Sequence, residues 1–194
     1  MIRPILLIIA LVLAAFYFFK DQGRDQPAGI LVSSAPLQFD TPAKRFEHEG
    51  YSIQPLARFE LDARVLGREG YWMDRESDLA KYDLALGWQR MSDTQVLDQI
   101  DISQSGRWYH WRTDRFPIPR REIERSSANM HMIPANEWIE KQIGKLGPGD
   151  LVRIRGYLVK AESPDGWLWK SSMTREDTGQ GACELVYVES FELL

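Results

Sequence analysis

Hydrophobic positions along the chain fall into three regimes. The first is an unbroken apolar run from Pro4 to Phe19 that stops at Lys20. At about 1.5 Å per residue it spans roughly 24 Å, somewhat short of the roughly 30 Å hydrocarbon core of a bilayer, and Met1 and Ile2 lengthen it. Residues 1–20 are therefore expected to form a transmembrane anchor that meets the lipid bilayer through residues 4–19. A cleaved signal peptide would use Arg3 and the same apolar core. Phe16, Tyr17, Phe18 and Phe19 stand where its small-residue cleavage site would be, which favours retention. Arg3 on one side and Lys20 and Arg24 on the other leave the orientation open by charge alone. The short tail favours an amino end in the cytoplasm, hence a single-pass protein of a bacterial inner membrane with a periplasmic domain.

In the second regime, residues 21–50, the pattern gives way to Gln, Gly, Asp, Ser and Pro, with Pro27, Pro36 and Pro42 barring a continuous helix. This stretch reads as a linker, part of which can dock through Ile30, Leu31, Val32 and Phe39.

The third regime, residues 51–194, is patterned as a folded extracytoplasmic domain. Phe59, Leu61, Ala63 and Val65 alternate with Glu60, Asp62 and Arg64, which predicts a half-buried strand ended by Gly67 and Gly70. Between Trp72 and Trp88 the pattern supports only a short helix or loop. Ser92 and Gln95 form a capping box for a helix over residues 93–100. After a turn at Ser105-Gly106, the aromatic run Arg107–Arg112 favours a strand. Pro119 can open a short helix to Arg125, and Asn136 caps another carrying Ile139, Ile143 and Leu146. Residues 151–160, 166–171 and 182–191 are β-rich and separated by turns at Ser163–Gly166 and Thr178–Gly181. The expectation is an α+β fold: an N-terminal transmembrane helix, then a small curled, mainly antiparallel sheet of five strands with two or three short helices. Around Gly149-Asp150 to Val159, with Gly156 at its centre, the sequence resembles a strand of OB-type barrels, where glycine permits sharp curvature.

Charge narrows the function classes. With 24 basic and 28 acidic residues the chain carries −4; taking away Arg3 and Lys20 leaves 22 against 28, about −6 for the remainder. General polyanion binding is disfavoured, and with it nucleic acid as a partner. One cysteine, Cys183, excludes an intramolecular disulfide; within its apolar run it reads as an inert thiol.

The densest constellation is Arg107, Trp108, Tyr109, His110, Trp111 and Arg112, followed by Arg115, Arg120, Arg121 and Arg125. It mixes aromatic faces with cations as single-strand and sugar binders do; the competing reading is aromatic packing under a solvated arginine rim. In a strand Trp108 and His110 share one face and Arg107, Tyr109 and Trp111 the other. Trp167 and Trp169 share a face for the same reason, as do Arg153 and Arg155. Arg107, Tyr109, Trp111, Arg112, Arg153, Arg155, Trp167 and Trp169 are the candidate ligand-binding residues. Met130-His131-Met132 supplies soft ligand types, but a strand would oppose His131 to the two methionines, so no metal site is expected. Nor is any cofactor expected. His110, His131 and Cys183 are the pieces from which a nucleophilic site would be assembled, and no local motif assembles them.

The stretches Leu86-Gly87-Trp88, Met91-Ser92-Asp93, Ser126 to His131 and Asp177-Thr178-Gly179 to Glu184 are similar to those of uncharacterised bacterial proteins built as one membrane segment plus one domain. That resemblance implies a bacterial envelope location and no activity. The functional expectation is a membrane-tethered envelope module that binds a protein partner or ligand without catalysis of its own. The alternatives are an envelope hydrolase around His131 or His110, and an OB-like binder of oligonucleotides or small ligands.

Overall fold

A computed structural model of the chain describes residues 23–174 and 183–194. Ten strands follow one another: β1 (Leu37–Phe39), β2 (Phe46–His48), β3 (Tyr51–Gly70), β4 (Tyr82–Gly87), β5 (Asp101–Ser105), β6 (Trp108–Arg112), β7 (Ser127–Pro134), β8 (Leu151–Glu162), β9 (Leu168–Lys170) and β10 (Glu184–Leu193). The helices are short: α1 (Thr94–Leu97), α2 (Arg120–Arg125) and α3 (Glu137–Ile143), with 3-10 turns at Arg75–Asp78 and Gln89–Ser92.

β3 organises the rest. Its alternating apolar residues make it a strand, and two bulges, between Pro55 and Ala57 and between Val65 and Gly67, bend it. One half pairs with β8, from Ser52 to Arg64, and the other with β4, from Arg64 to Gly70. β4 pairs antiparallel with β7, β7 runs parallel to β10, and β10 pairs antiparallel with β8. The circuit β3-β4-β7-β10-β8 thus returns to β3 and closes a five-stranded barrel. β1, β2 and β9 extend its edges, and β5 with β6 makes a separate hairpin.

Inside the barrel lie Phe59, Leu61, Val65, Leu84, Leu86, Met130, Met132, Ile154, Leu158 and Val186, joined by Ile139 and Ile143 of α3. Two further clusters cover the opposite faces of the same strands: Ile53, Leu79, Ile133, Val159 and Leu185 in one, and Ala85, Met91, Val96, Ile118 and Ile123 in the other. β4 and β7 are therefore buried on both sides. At Gly156 the backbone of β10 comes so near that a Cβ would run into the Tyr187 carbonyl oxygen.

The fold class departs from the sequence expectation. The protein is mainly β rather than α+β, with 46% of the described residues in strands against 15% in helices, and an eight-stranded sheet replaces the expected five strands. Among the extra strands, β4 hides its period because Leu84, Ala85 and Leu86 run apolar across both faces, and β1 and β2 because three-residue strands show none; β7 does alternate, with Asn129 and His131 outside and Met130 and Met132 inside. The transmembrane helix is corrected as well. No helix among the described residues is long and apolar enough to cross a membrane, so the membrane and signal-anchor expectations are not supported. The residues on which they rested, 1–20, lie outside the described ones, as do the turn at Thr178–Gly181 and most of the stretch Asp177–Glu184.

Residues 23–50 lie along the barrel. The Arg24 amide donates to the Pro148 carbonyl (2.7 Å), the Gln89 amide donates to the Val32 carbonyl (2.6 Å), and Val32 is buried in the core. The capping of α1 also shifts by one residue. Asp93 is the cap, its Oδ1 accepting from the Gln95 amide (2.9 Å), while the Ser92 hydroxyl accepts from the Val32 amide (3.0 Å) and so holds the incoming segment.

Candidate functional site

The barrel strands β4 and β7 carry a polar cluster on their outer faces, between the two outer apolar clusters. Asp83 of β4 is fully buried, and His131 of β7 is 5% exposed. The register pairs these two residues directly, so their side chains leave the sheet side by side. Asp83 Oδ1 lies 2.9 Å from His131 Nδ1 and accepts from Arg107 Nη1 at 2.8 Å, while Oδ2 accepts from Asn129 Nδ2 at 3.2 Å. A carboxylate only accepts, so Nδ1 of His131 carries the proton.

Arg107 reaches this place from the hairpin. Gly106 and Arg107 form the two-residue turn between β5 and β6, both with positive φ (56° and 69°), the backbone of a tight hairpin turn. The Arg107 side chain then points down onto the barrel. Its Nε and Nη2 donate to the two oxygens of Asp74, each at 2.8 Å, and Nη1 also donates to the Ala80 carbonyl (2.8 Å). The guanidinium lies over the Tyr71 ring at 4.0 Å, and the Arg107 amide donates to the Tyr71 hydroxyl (2.8 Å). Gln104 of β5 adds a second tie, donating to Asn129 Oδ1 (2.7 Å). Burial opposes the charge on Arg107, and Asp74 and Asp83 more than offset it. The same Arg107 hydrogen bonds hold the Asp74 carboxyl below the usual carboxylate range, against the opposing effect of burial.

Of the residues singled out in the sequence, this cluster gathers Arg107, His131, Trp167, Trp169 and Cys183. Trp169 covers the His131 ring at 4.8 Å, and Trp167 sits 5.9 Å from Trp169 and from Tyr51, with Arg75 over it at 5.0 Å. Cys183 is half-buried, its Sγ 4.0 Å from the Arg107 carbonyl oxygen that also accepts from Asn129 Nδ2. Met130 and Met132 point the other way, into the barrel core. Among the described residues no group of His, Cys, Asp and Glu has metal-binding geometry.

The remaining candidates are dispersed. Tyr109 and Trp111 face inward: Tyr109 shares a hydrogen bond with the Ser127 hydroxyl (3.2 Å), and Trp111 meets Phe116 edge-on at 6.1 Å beneath Arg120. His110 and Arg112 face outward with Trp108. Arg153 and Arg155 stand on the outer surface of β8, where Arg153 grips Asp62 through two bonds (2.8 and 2.7 Å) and Arg155 lies 3.8 Å from Glu60. With Ser34, Leu37 and Ile154 they line a shallow groove of about 310 Å³. Asp83, Asn129, Gln104 and Tyr71 escaped the sequence reading. A lone carboxylate inside the apolar run Tyr82–Gly87 was the available signal for Asp83, since such a residue must find a partner when buried.

Burial pushes the phenols of Tyr109 and Tyr71 up to about 12 from an ordinary 10.0. A raised phenol means that the folded protein keeps protons the unfolded chain has already lost, so this contribution to stability is whole below about pH 10 and disappears between about 10 and 12. In an ultraviolet difference titration Tyr71 and Tyr109 should be among the tyrosines that ionise late, and Tyr109→Phe should remove one of them.

One loop beside the cluster is built differently from the rest. Tyr71 and Lys81 close it with a backbone hydrogen bond (2.8 Å), and Asp74 anchors its middle by accepting from the Ser77 amide (2.9 Å) and from Arg107. Between these ties Trp72 is 71% and Met73 99% exposed. The Trp72 ring lies against the bare backbone of Gly70. Beneath it a hollow of about 420 Å³ is lined by Glu49, Tyr51, Tyr71, Asp78 and Lys81. Compared with protein-family models, with curated proteins and with solved structures, the chain matches none.

Proposed function

We propose that the chain is a non-catalytic interaction module, a closed barrel that presents Trp72 and Met73 for burial against a protein partner. The observation that carries this reading is the pairing of 71% and 99% exposure at Trp72 and Met73 with a loop fixed at Tyr71, Asp74 and Lys81. Leaving such side chains in water forgoes about 25 cal/mol for each Å² that could be buried. Holding them in an ordered loop lowers the entropy lost on docking. Tryptophan and methionine are the side chains interfaces favour. Five-stranded barrels of the OB type bind through the loops at one end, and the Trp72 loop joins the first two strands of this barrel; that support is analogy at the level of the fold.

The hydrolase reading draws less from the same geometry. A general base must reach a substrate proton, and the His131 ring is bound by Asp83, covered by Trp169 and 5% exposed. His110 stands on the open face of the hairpin.

A benzophenone photo-crosslinker placed at Met73 tests the proposal. It should give a discrete adduct in host cells that is absent when the probe is placed at exposed Glu192. Trp72→Ala should weaken that adduct by about tenfold or more, the effect of truncating an interface anchor. No adduct, or one indifferent to Trp72→Ala, would rule the surface out.

A further inference from the structure

The outward positions of β3 carry three charges in succession, Glu60, Asp62 and Arg64, and the third is placed unlike the others. Glu60 and Asp62 stay near the surface and meet Arg155 and Arg153. Arg64, where β3 passes from β8 to β4, is only 8% exposed. Its Nη1 donates to the Ser92 carbonyl (3.1 Å) and to the Thr94 hydroxyl (2.8 Å). That hydroxyl lies 3.0 Å from both the Gln26 and the Pro27 carbonyl oxygens, and Gln26 Nε2 donates to the Gly149 carbonyl (2.8 Å). The guanidinium is therefore held in one place by the turn into α1 and, through Thr94, by the incoming segment.

Arg107 grips Asp74, and Arg153 grips Asp62, through Nε and Nη2, the adjacent N–H pair that matches the two oxygens of a carboxylate. In Arg64 the same pair makes no hydrogen bond among the described residues, and none of their carboxylates contacts this guanidinium. Burial opposes its charge, and Asp98 and Asp93, acting from a distance, offset this only in part, so Arg64 titrates below the ordinary arginine range. Asp93 is engaged by the Gly29 and Gln95 amides (both 2.9 Å), and Asp98 is exposed. Arg64 thus lacks the counter-charge that Arg107 has in Asp74 and Asp83. It lines a hollow of about 380 Å³ with an apolar wall of Leu66, Leu97, Ile100, Ile102 and Pro148, bordered also by exposed Asp25. Small-molecule sites of roughly 300–1,000 Å³ combine apolar walls with a few fixed polar groups in this way.

We infer that this hollow is a binding site for a small monocarboxylate with an apolar body. Nε and Nη2 of Arg64 fork onto its carboxylate, and its hydrocarbon lies along Leu66, Leu97 and Ile100. One negative charge supplies the counter-ion that the buried guanidinium lacks, while the apolar wall gains from the burial of the rest. An ion with two charges fits less well, because the second would stand unmatched near Asp25, Asp93 and Asp98. The hollow shares no lining residue with the one beneath Trp72, so the two proposals stand or fall independently.

Isothermal titration calorimetry on the full chain tests it, with octanoate as probe. Octanoate should bind and should raise the melting temperature, as a ligand of the folded state does. Octanamide, of the same length but without charge, should bind about tenfold more weakly or worse, a comparison that leaves the protein untouched. Arg64→Met should reduce octanoate affinity about tenfold or more and abolish the rise in melting temperature, since the partner of the carboxylate is gone. Asp25→Asn should bind octanoate at least as well as the parent, because it removes a like charge from the rim. The inference is overturned if octanoate does not bind, if octanamide binds equally, if Arg64→Met binds octanoate as the parent does, or if inorganic phosphate binds more tightly than octanoate.

Discussion

Arg107→Met is expected to destabilise the protein by about 3–5 kcal/mol, the usual cost of stranding a buried charge. The variant leaves Asp83 fully buried with His131 and Asn129 but without its cation. Asp74, a third of whose side chain is in water, contributes less to the loss. Urea denaturation would read the change as a lower midpoint. Arg107→Lys should recover only part of it, because an ammonium cannot fork onto both oxygens of Asp74 and still reach Asp83. A midpoint within error of the parent would mean that the pair behaves as a surface salt bridge, and the burial described for Asp83 would be wrong. Loss of Arg107 should also loosen the hairpin tip and the Trp72 loop together, since that guanidinium is a tie the two share. Faster amide exchange in residues 71–81 and 101–112, with the barrel strands still protected, would be the signature.

The second large effect is expected at Gly156. Its Cβ position coincides with the Tyr187 carbonyl, a backbone atom that cannot rotate away, at the point where β10 bulges between Val188 and Ser190. Overpacking of this kind costs about 1–3 kcal/mol where side chains can yield, and Gly156→Ala should fall at or above the top of that range. Loss of soluble protein, or a melting temperature lowered well beyond that of Gly166→Ala in an open turn, would agree. Equal melting temperatures for the two variants would not. Gly166 has a positive φ of 90° but open space around it, so alanine there strains only the turn.

Gly156 is also where the sequence was most informative. The stretch around it resembles a strand of OB-type barrels, where glycine permits sharp curvature, and the close approach of β10 supplies a second reason for a glycine there. The alternation of Phe59 to Val65 gave the long strand, and Asn136 caps α3 as expected, its side chain accepting from the Ile139 amide (3.1 Å). What stayed hidden was whatever depends on distant partners. In β4 the run Leu84-Ala85-Leu86 is apolar on both faces, so no period two marks it. Arg107 looked like a surface cation in an aromatic strand because its carboxylates stand 33 and 24 residues earlier in the chain. The inward and outward faces of β6 were correctly separated by alternation, yet alternation could not say which face met the barrel. Tyr109 and Trp111 turned inward and Trp108, His110 and Arg112 outward, so two of the eight expected ligand residues became packing.

The place of β10 in the barrel bears on how the protein is made. It lies between β7 and β8, and β8 must pair with β3 about a hundred residues before it, so most stabilising contacts join segments far apart in the chain. Such topologies fold slowly. Until β10 leaves the ribosome, β7 and β8 each present an open edge, and the apolar interior around Phe59 and Met130 has no wall on that side. Barrel closure thus waits for β10, and a nascent chain stalled before Glu184 is a substrate for chaperones rather than a folded protein.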